Sequence, residues 1–427
     1  MKHDHRQVRS RVVGQIIKTN FEDPNCRYRP KDIVNDMRKN YDINIQYEKA
    51  WRAKEVALDL LMGSPKKSYT LLRKYGEALK FVNPGTIFNL KLEDDKYFQY
   101  AFMALGCSIR GFRSCIRSVL VIDGAHLKGK YKGVILIASS VDGNNQIYPV
   151  AFGIVDKESD NSWTWFLDQV KSAIGEVDGL VFVSDRHQAI NNSVANVFPN
   201  AEHVSCMHHI KMNLNDKFKN EGMQMLYLQA AQAFKKSTFR YYWNQLAGFP
   251  EVQRYLQEVG FDKWSRAYQP ELRYNQMTTN IAESMNAVLV HARALPVTAL
   301  LENCRVLLQR WFYERRTHAA TITSCLTEYA EDILRQSSEQ ARRHTIRPID
   351  NYEFEVHDGS NKVRVNLNSK TCSCKQFDYY QIPCSHAIAA AVLQNVNRYT
   401  LCSSKYKLET LITAYAEPIY PLGNEEA

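Results

Sequence analysis

Three cysteines and one histidine in the last fifth of the sequence have the types and spacing of a metal site. They form the pattern C-x-C-x9-C-x-H and are Cys372, Cys374, Cys384 and His386. Zinc takes four such ligands in a tetrahedron, with each thiolate about 2.3 Å from the ion. On an extended strand Cys372 and Cys374 share one face, and His386 would lie in the first turn of the following helix. We therefore expect a structural zinc site; the alternative is four unrelated buried residues.

Three carboxylates have the placement of a second, catalytic metal site. Asp123 ends the apolar run "VLVID", Asp185 ends "LVFVSD", and Glu283 lies near the start of the helical stretch "TTNIAESMNAVLV". Phosphodiester chemistry uses two Mg²⁺ or Mn²⁺ ions bridged by shared carboxylates. The alternatives are ordinary: aspartates often cap turns after strands, and a glutamate at a helix start is favoured by the helix dipole.

Length and composition bound the kinds of protein that the chain can be. With 427 residues, 45% of them hydrophobic, two or three domains with large cores are expected. No apolar run approaches the length of a membrane span and no signal-peptide core follows Met1, so we predict no membrane partner. The ten cysteines are then expected to be reduced, which favours metal binding over disulfides for the Cys/His cluster.

The positive charge is concentrated in the first fifth of the chain. The net charge is +10, and residues 1–80 carry 18 Lys and Arg against 10 Asp and Glu, a difference of 18 − 10 = +8. Phosphate neutralisation drives nucleic-acid affinity, so this excess suits an N-terminal module that binds DNA. An ordinary solvated basic surface is the alternative.

The elements that must position these residues follow from the hydrophobic pattern. Residues 26–63 predict a small helical unit, and three β-rich runs between 118 and 156, two joined by the turn "DGNN", predict a hairpin-containing sheet. A helix, a buried strand and another helix follow, which makes an α/β core with mixed strand directions. The pattern from about 211 to 348 is helical, and two alternating strands precede the Cys/His cluster.

Four stretches of the sequence closely resemble the transposase domain of plant Mutator-like elements (MULEs). They are "VIDGAHLKGKYKGVILIASSVDGNNQIYPVAFGIVDKESDNSWTWFLDQV", "SDRHQAI", "CMHHIKMN" and "TTNIAESMN", in the family's order. The resemblance implies a ribonuclease-H-like core with a D-D-E triad, here Asp123, Asp185 and Glu283, and a helical insertion before the glutamate. The family's C-x-x-H motif falls on Cys206 and His209, for which we favour a structural role.

The Cys/His cluster resembles a SWIM-type zinc finger, which implies a ββα module that contacts DNA or a protein partner. The expected fold is therefore an α/β ribonuclease-H-like core with an all-helical insertion, a small helical N-terminal domain and a ββα SWIM zinc finger. The family usually carries an N-terminal zinc-binding domain, of which His3 and His5 resemble only the last ligand pair. We therefore interpret the N-terminal module as truncated.

The predicted domains have the following limits. They are a basic DNA-binding-like domain at 1–82, a connecting segment at 83–117, the transposase domain at 118–348 with its insertion at about 211–275, the SWIM finger at 350–396, and a C-terminal tail at 397–427.

Three functions are compatible with these residues. The first is a transposase that cleaves and transfers DNA strands at terminal inverted repeats, with Lys128, Lys130 and Lys132 as phosphate contacts or merely a solvated turn. The second is a domesticated, catalytically silent derivative that regulates transcription, as in the far-red-impaired-response group. The third is a protein-interaction module that uses the finger. Nuclear localisation is implied by the family, and a homo-oligomer is a further expectation.

Overall fold

The computed structural model describes residues 8–21, 28–62, 65–94, 97–130, 132–269, 276–359 and 361–423. Within these ranges the chain is a mixed α/β protein built on a seven-stranded sheet, with a separate four-stranded sheet towards the carboxyl end. The predicted ligand pair His3 and His5 lies outside the described residues. No helix among the described residues is both long and apolar enough to cross a membrane.

The N-terminal module is a bundle of three helices with its own small core. Pro30 starts the second helix, as predicted, because its fixed φ suits the first helical position. Ile33 and Met37 face the module's core, and the first helix packs so closely on the third that a side chain at Gly14 would meet Val56 and Ala53. The helices are α1 (Ser10–Ile17), α2 (Pro30–Tyr41) and α3 (Tyr47–Met62).

The seven-stranded sheet is central to the main domain. Its strands are β1 (Ile87–Glu93), β2 (Tyr97–Ala104), β3 (Val119–His126), β4 (Val134–Val141), β5 (Ile147–Val155), β6 (Val181–Ser184) and β7 (Glu202–Ser205). The order is β1-β2-β5-β4-β3-β6-β7, antiparallel from β1 to β3 and parallel from β3 to β7. Strands β4 and β6 are buried along their whole length, because they lie inside the sheet with both faces covered.

The hairpin predicted at "DGNN" joins β4 and β5 and is confirmed. The segment 83–117, predicted as a connection, instead supplies β1, β2 and a helix to the main domain. Its strands are less uniformly apolar than β3 to β5, because β1 forms an edge of the sheet and keeps one face partly exposed.

Helices pack against both faces of this sheet. One face contains Leu120 and Ile122 of β3, and the other contains Val119 and Val121, as the period of two requires. The helix Pro65–Val82 packs on the main domain, since the Ser68 hydroxyl donates to the Thr298 hydroxyl at 3.0 Å. The helices are α4 (Pro65–Val82), α5 (Gly106–Ser114), α6 (Asp160–Ile174) and α7 (Gln188–Val197).

A helical insertion follows β7 and has a separate hydrophobic core around the fully buried Trp264. It begins at Met207, four residues before the start predicted at about 211, and its last described turn ends at Tyr268, before the end predicted at about 275. Its helices are α8 (Met207–Phe218), α9 (Glu221–Gln232), α10 (Lys236–Gln245), α11 (Pro250–Val259) and α12 (Phe261–Trp264). The chain then returns to the main domain with α13 (Asn280–Val288) and α14 (Val297–Ala319).

The small C-terminal module begins earlier than predicted. Helix α15 (Glu328–Ala341) packs on it rather than on the main domain, since Ala330 and Leu334 belong to its core. The remaining elements are β8 (Thr345–Pro348), β9 (Glu353–Asp358), β10 (Asn361–Asn366), β11 (Thr371–Cys372), α16 (Gln376–Tyr380) and α17 (Ser385–Leu393). The strand order of the sheet is β11-β10-β9-β8.

The last described segment, predicted as a tail, is part of the folded structure. Helix α18 (Arg398–Leu401) packs on the small module, whereas α19 (Leu408–Ala414) returns to the main domain and packs on α5 and α14. Leu411 and Tyr415 are buried in the main core, because the segment carries apolar side chains that cover the sheet's helices. The predicted tail is therefore a structural element.

Candidate functional site

The two predicted aspartates are held by neighbouring parallel strands. Asp123 lies within β3, which continues to His126, so it does not end its strand as the sequence suggested. It shares the sheet face of Val119 and Val121, against which Ala282 of α13 packs. Asp185 directly follows β6 and accepts the His187 N–H at 2.9 Å, so it also fulfils the turn-capping role considered as an alternative.

Helix α13 brings the third acid to the same face. Glu283 lies in its first turn, and Asn286, three residues further on, donates from Nδ2 to Oδ2 of Asp123 at 2.8 Å. Residues three apart on a helix lie on one face, and the negative charges of both Glu283 and Asp185 act on His209, which lies beside the two aspartates. The structure thus places the three predicted acids near the carboxyl ends of β3 and β6, and we call this edge of the sheet the acidic edge.

The electrostatics of this edge are those of crowded carboxylates. Burial and the neighbouring charge of Asp185 raise the pKa of Asp123 to about 7. A carboxyl group with this pKa is partly protonated at neutral pH, because a second negative charge in the cluster is costly. A divalent cation would offset that repulsion. Mg²⁺ and Mn²⁺ prefer carboxylate oxygens as ligands, so the acids at this position fit either ion.

Two charged residues of this edge were missed by the sequence analysis. The carboxylate of Glu158 lies over Gly124, where an added Cβ would be 2.8–2.9 Å from its atoms. Arg293 lies near Asp123, and its Nε is buried without a hydrogen-bond partner among the described residues. A signal for Glu158 existed: two successive antiparallel pairings make β5 run in the same direction as β3, so an acid that follows β5 reaches the same end of the sheet as Asp123.

Cys206 and His209 lie beside this acidic edge. Cys206 is fully buried; its Sγ accepts the Thr279 N–H at 3.2 Å and also lies 3.2 Å from the Thr279 hydroxyl oxygen. Burial alone would raise the pKa of Cys206, but hydrogen bonds from His209 and Thr279 lower it overall. The same contact with Cys206 raises the pKa of His209 to about 9, helped by the charges of Asp185 and Glu283.

The three predicted phosphate contacts lie on one loop but have different neighbours. Lys128, Lys130 and Lys132 lie in the loop between β3 and β4, and all are exposed. Lys130 is near Glu55 of α3. Burial raises the pKa of Glu55, and the charge of Lys130 opposes that rise. Lys132 lines a separate cavity of about 460 Å³. This loop therefore faces the N-terminal module as much as solvent.

The four predicted zinc ligands come together at the other end of the chain. Cys372 ends β11, Cys384 precedes α17, and His386 lies in the first turn of that helix. The Cys374 and Cys384 sulfurs are 3.6 Å apart, and Nδ1 of His386 is 3.9 Å from Cys372 Sγ and 3.8 Å from Cys384 Sγ. Thiolates about 2.3 Å from one tetrahedral zinc ion lie about 3.8 Å from each other, so the Cys3His cluster fits zinc.

Outer hydrogen bonds orient this cluster. The Cys374 N–H points at Cys372 Sγ at 3.5 Å, and the Cys372 N–H donates to Asp378 at 2.9 Å. The other ring nitrogen of His386 lies 3.7 Å from a carboxylate oxygen of Asp358. Ligating histidines usually direct their second nitrogen at an acceptor, but this separation exceeds hydrogen-bond length and His386 Nε2 has no hydrogen-bond partner among the described residues.

The chain thus combines a mixed α/β domain that carries the three predicted acids with a small module whose Cys3His cluster fits zinc. Residues 119–213 match the family model described as the MULE transposase domain, and residues 362–395 match that of the SWIM zinc finger. The chain therefore carries both domains, as the sequence predicted. The first match includes Asp123, Asp185, Cys206 and His209, and the second includes all four zinc ligands.

Two relatives come from Arabidopsis thaliana. The chain is 21% identical to "Putative protein FAR1-RELATED SEQUENCE 10" over 376 residues, which cover 79% of this chain and 54% of the relative. It is 19% identical to "Protein FAR1-RELATED SEQUENCE 4" over 362 residues, which cover 74% of this chain and 48% of the relative. The chain thus spans about half the length of the curated relatives it matches.

Proposed function

We propose that this transposase-derived chain binds DNA and cleaves and joins its strands at terminal inverted repeats, using divalent ions held by Asp123, Asp185 and Glu283. The observation that carries the proposal is the meeting of these acids at one sheet edge, with the pKa of Asp123 raised to about 7 by burial and by Asp185. Perturbed carboxylates in such a place are typical of functional sites.

The strand arrangement supports a ribonuclease-H-like core. Strands β5, β4 and β3 are consecutive and antiparallel, and β6 and β7 extend the sheet from β3 in parallel. This puts the carboxyl ends of β3 and β6 side by side, which is where two acids must meet if they share metal ions. The glutamate then arrives on a helix after the insertion.

The chain's own residues account for much of the proposed mechanism. Asp123, Asp185 and Glu283 would hold two Mg²⁺ or Mn²⁺ ions, whose chemistry would be the activation of water or a 3′ hydroxyl and the stabilisation of the departing oxygen. Asn286 holds the carboxylate of Asp123, and Glu158 adds negative charge beside Gly124. Arg293, with its unpartnered Nε near Asp123, is suited to contact the phosphate of the strand being cut.

A second candidate is a DNA-binding regulator that has lost cleavage. The observation that favours it is that both Arabidopsis relatives bear FAR1-related names. Under either function the partner is DNA and the location is the nucleus. The SWIM finger and the basic N-terminal module are then the expected contacts with DNA or with a protein partner, and self-association is part of the proposal.

The deciding experiment is strand cleavage of DNA that carries candidate inverted-repeat ends, in Mg²⁺ or Mn²⁺. Asp123→Asn and Glu283→Gln are compared with Asp160→Asn, an exposed acid at the start of α6, as the matched control. Cleavage by the wild type and the control, but by neither site variant, is the expected result. A folded protein that binds DNA without cutting it would favour the regulator instead.

A further inference from the structure

The hydroxyl of Thr279 is the centre of a small buried hydrogen-bond cluster. Thr279 is completely buried just before α13. Its Oγ1 lies 3.2 Å from Sγ of Cys206, 3.2 Å from Nδ1 of His209 and 3.1 Å from Oε1 of Glu283. One side chain thus contacts both members of the C-x-x-H pair and the third acid of the proposed triad.

The three outer groups of this cluster have the chemistry of a metal site. A sulfur, an imidazole nitrogen and a carboxylate oxygen from Cys206, His209 and Glu283 lie within 4.8 Å of one another. The Thr279 hydroxyl, however, sits 3.1–3.2 Å from all three. An ion with ligands about 2.0–2.3 Å away would need the space that this oxygen fills. The arrangement is therefore a hydrogen-bonded clamp rather than a metal site.

We propose that Thr279, supported by Cys206 and His209, is a positioning residue that fixes the carboxylate of Glu283 for metal binding. The proposal rests on the proposed function, since it assigns how one of the triad acids is held. A hydroxyl has one hydrogen to donate. Cys206 Sγ already accepts the Thr279 backbone N–H, so the hydroxyl hydrogen goes to the charged Glu283 oxygen, the stronger acceptor.

The clamp matters because Glu283 is far from the sheet in sequence. Cys206 and Thr279 are 73 residues apart and lie at the two ends of the helical insertion. Two backbone hydrogen bonds close the same junction: Cys206 N–H to the Ser184 carbonyl at 2.7 Å, and Met207 N–H to the Met277 carbonyl at 2.8 Å. Ser184 immediately precedes Asp185, so the clamp ties the second and third acids into one unit.

Backbone hydrogen bonds close the junction, and within the described part of the chain the Thr279 hydroxyl is the hydrogen-bond partner of the Glu283 carboxylate. Without it, Glu283 would lose the hydrogen bond that selects its rotamer, and the start of α13 would lose its link to His209. Groups that orient metal ligands in this way typically contribute about 10-fold or more to metal affinity. Thr279→Val removes the hydroxyl with little change of shape, whereas Thr279→Ser retains it.

The test measures Mn²⁺ binding to the full chain by electron paramagnetic resonance of free Mn²⁺. The wild type is compared with Thr279→Val, Thr279→Ser, Glu283→Gln and the exposed control Thr321→Val. We expect Thr279→Val to raise the dissociation constant about 10-fold, with Thr279→Ser and Thr321→Val close to the wild type. An unchanged affinity in Thr279→Val would overturn the proposal, even if that variant were less stable.

Two further readouts separate the alternatives. Hydrogen exchange of the peptide 279–288 is measured without Mn²⁺. If the wild type binds no Mn²⁺, the proposed metal function fails. Hydrogen exchange then tests the clamp by itself. Exchange in Thr279→Val that equals the wild-type exchange would overturn the clamp, whereas faster exchange would support it. Zinc content is measured in parallel: a second zinc ion per chain that is lost in Cys206→Ser would replace the clamp with a metal site.

Discussion

Replacing Tyr415 with phenylalanine removes a buried hydrogen bond that ties the end of the chain to the core sheet. The Tyr415 hydroxyl donates to Oδ2 of Asp142 at 2.8 Å and accepts from Nη1 of Arg315 at 2.8 Å. Tyr415 and Asp142 are both fully buried. Phenylalanine keeps the ring that packs against Tyr148 and Phe312, so the change isolates the hydroxyl.

The expected loss of stability follows from what each partner retains. Oδ1 of Asp142 keeps the N–H groups of Asn144 and Gln146, but Oδ2 loses its donor. Arg315 still donates to the Ile147 carbonyl and is less affected. A buried acceptor left unpaired costs roughly 1–3 kcal/mol, so we expect a loss of about 2 kcal/mol. This corresponds to about a 30-fold change in the folding equilibrium constant.

The loss should also depend on pH. Burial raises the pKa of Asp142, and the hydrogen bond from Tyr415 opposes that rise because it favours the ionised carboxylate. The folded-state pKa of Asp142 is therefore higher in Tyr415→Phe than in the wild type. The deficit of the variant is complete at pH values above both folded-state pKa values, and it shrinks as the pH falls through them.

The assay is urea denaturation of the whole chain at several pH values, with Tyr313→Phe as the control. Tyr313 is an exposed tyrosine of α14, so removing its hydroxyl should change the free energy of unfolding little. We expect a lower midpoint for Tyr415→Phe and an unchanged one for the control. A wild-type midpoint in Tyr415→Phe, or a deficit that does not vary with pH, would refute the reasoning.

Three further changes test other parts of the structure. Cys384→Ser should abolish zinc binding and unfold the SWIM module, because structural zinc supplies about 10–16 kcal/mol in zinc-finger peptides; zinc content and limited proteolysis measure this. Gly124→Ala should cost no more than about 1 kcal/mol, because the end of the Glu158 side chain can rotate away, and Glu158→Ala in the same chain should remove that cost in denaturation curves. Trp264→Ala should cost about 3–5 kcal/mol and loosen the insertion, which hydrogen exchange detects.

The zinc module was predictable because its information is local in the sequence. Four ligands fall within 15 positions, a strand pair precedes them and a helix follows, so spacing and residue type suffice. The same holds for the hairpin at "DGNN", whose turn residues join adjacent strands. The MULE domain was predicted from longer motifs, and the family comparison confirms it over residues 119–213.

Tertiary structure decided the features that join distant parts of the chain. Thr279 meets Cys206 across 73 residues, and Tyr415 meets Asp142 across 273. Glu158 reaches the acidic edge only because the sheet order makes β5 parallel to β3. Periodicity and spacing describe which face of an element is apolar, but they do not say which element covers it. The sequence alone thus predicted the central strands and the Cys/His cluster, whereas packing decided which side chains contact Glu283 and how the segments 83–117 and 397–423 join the fold.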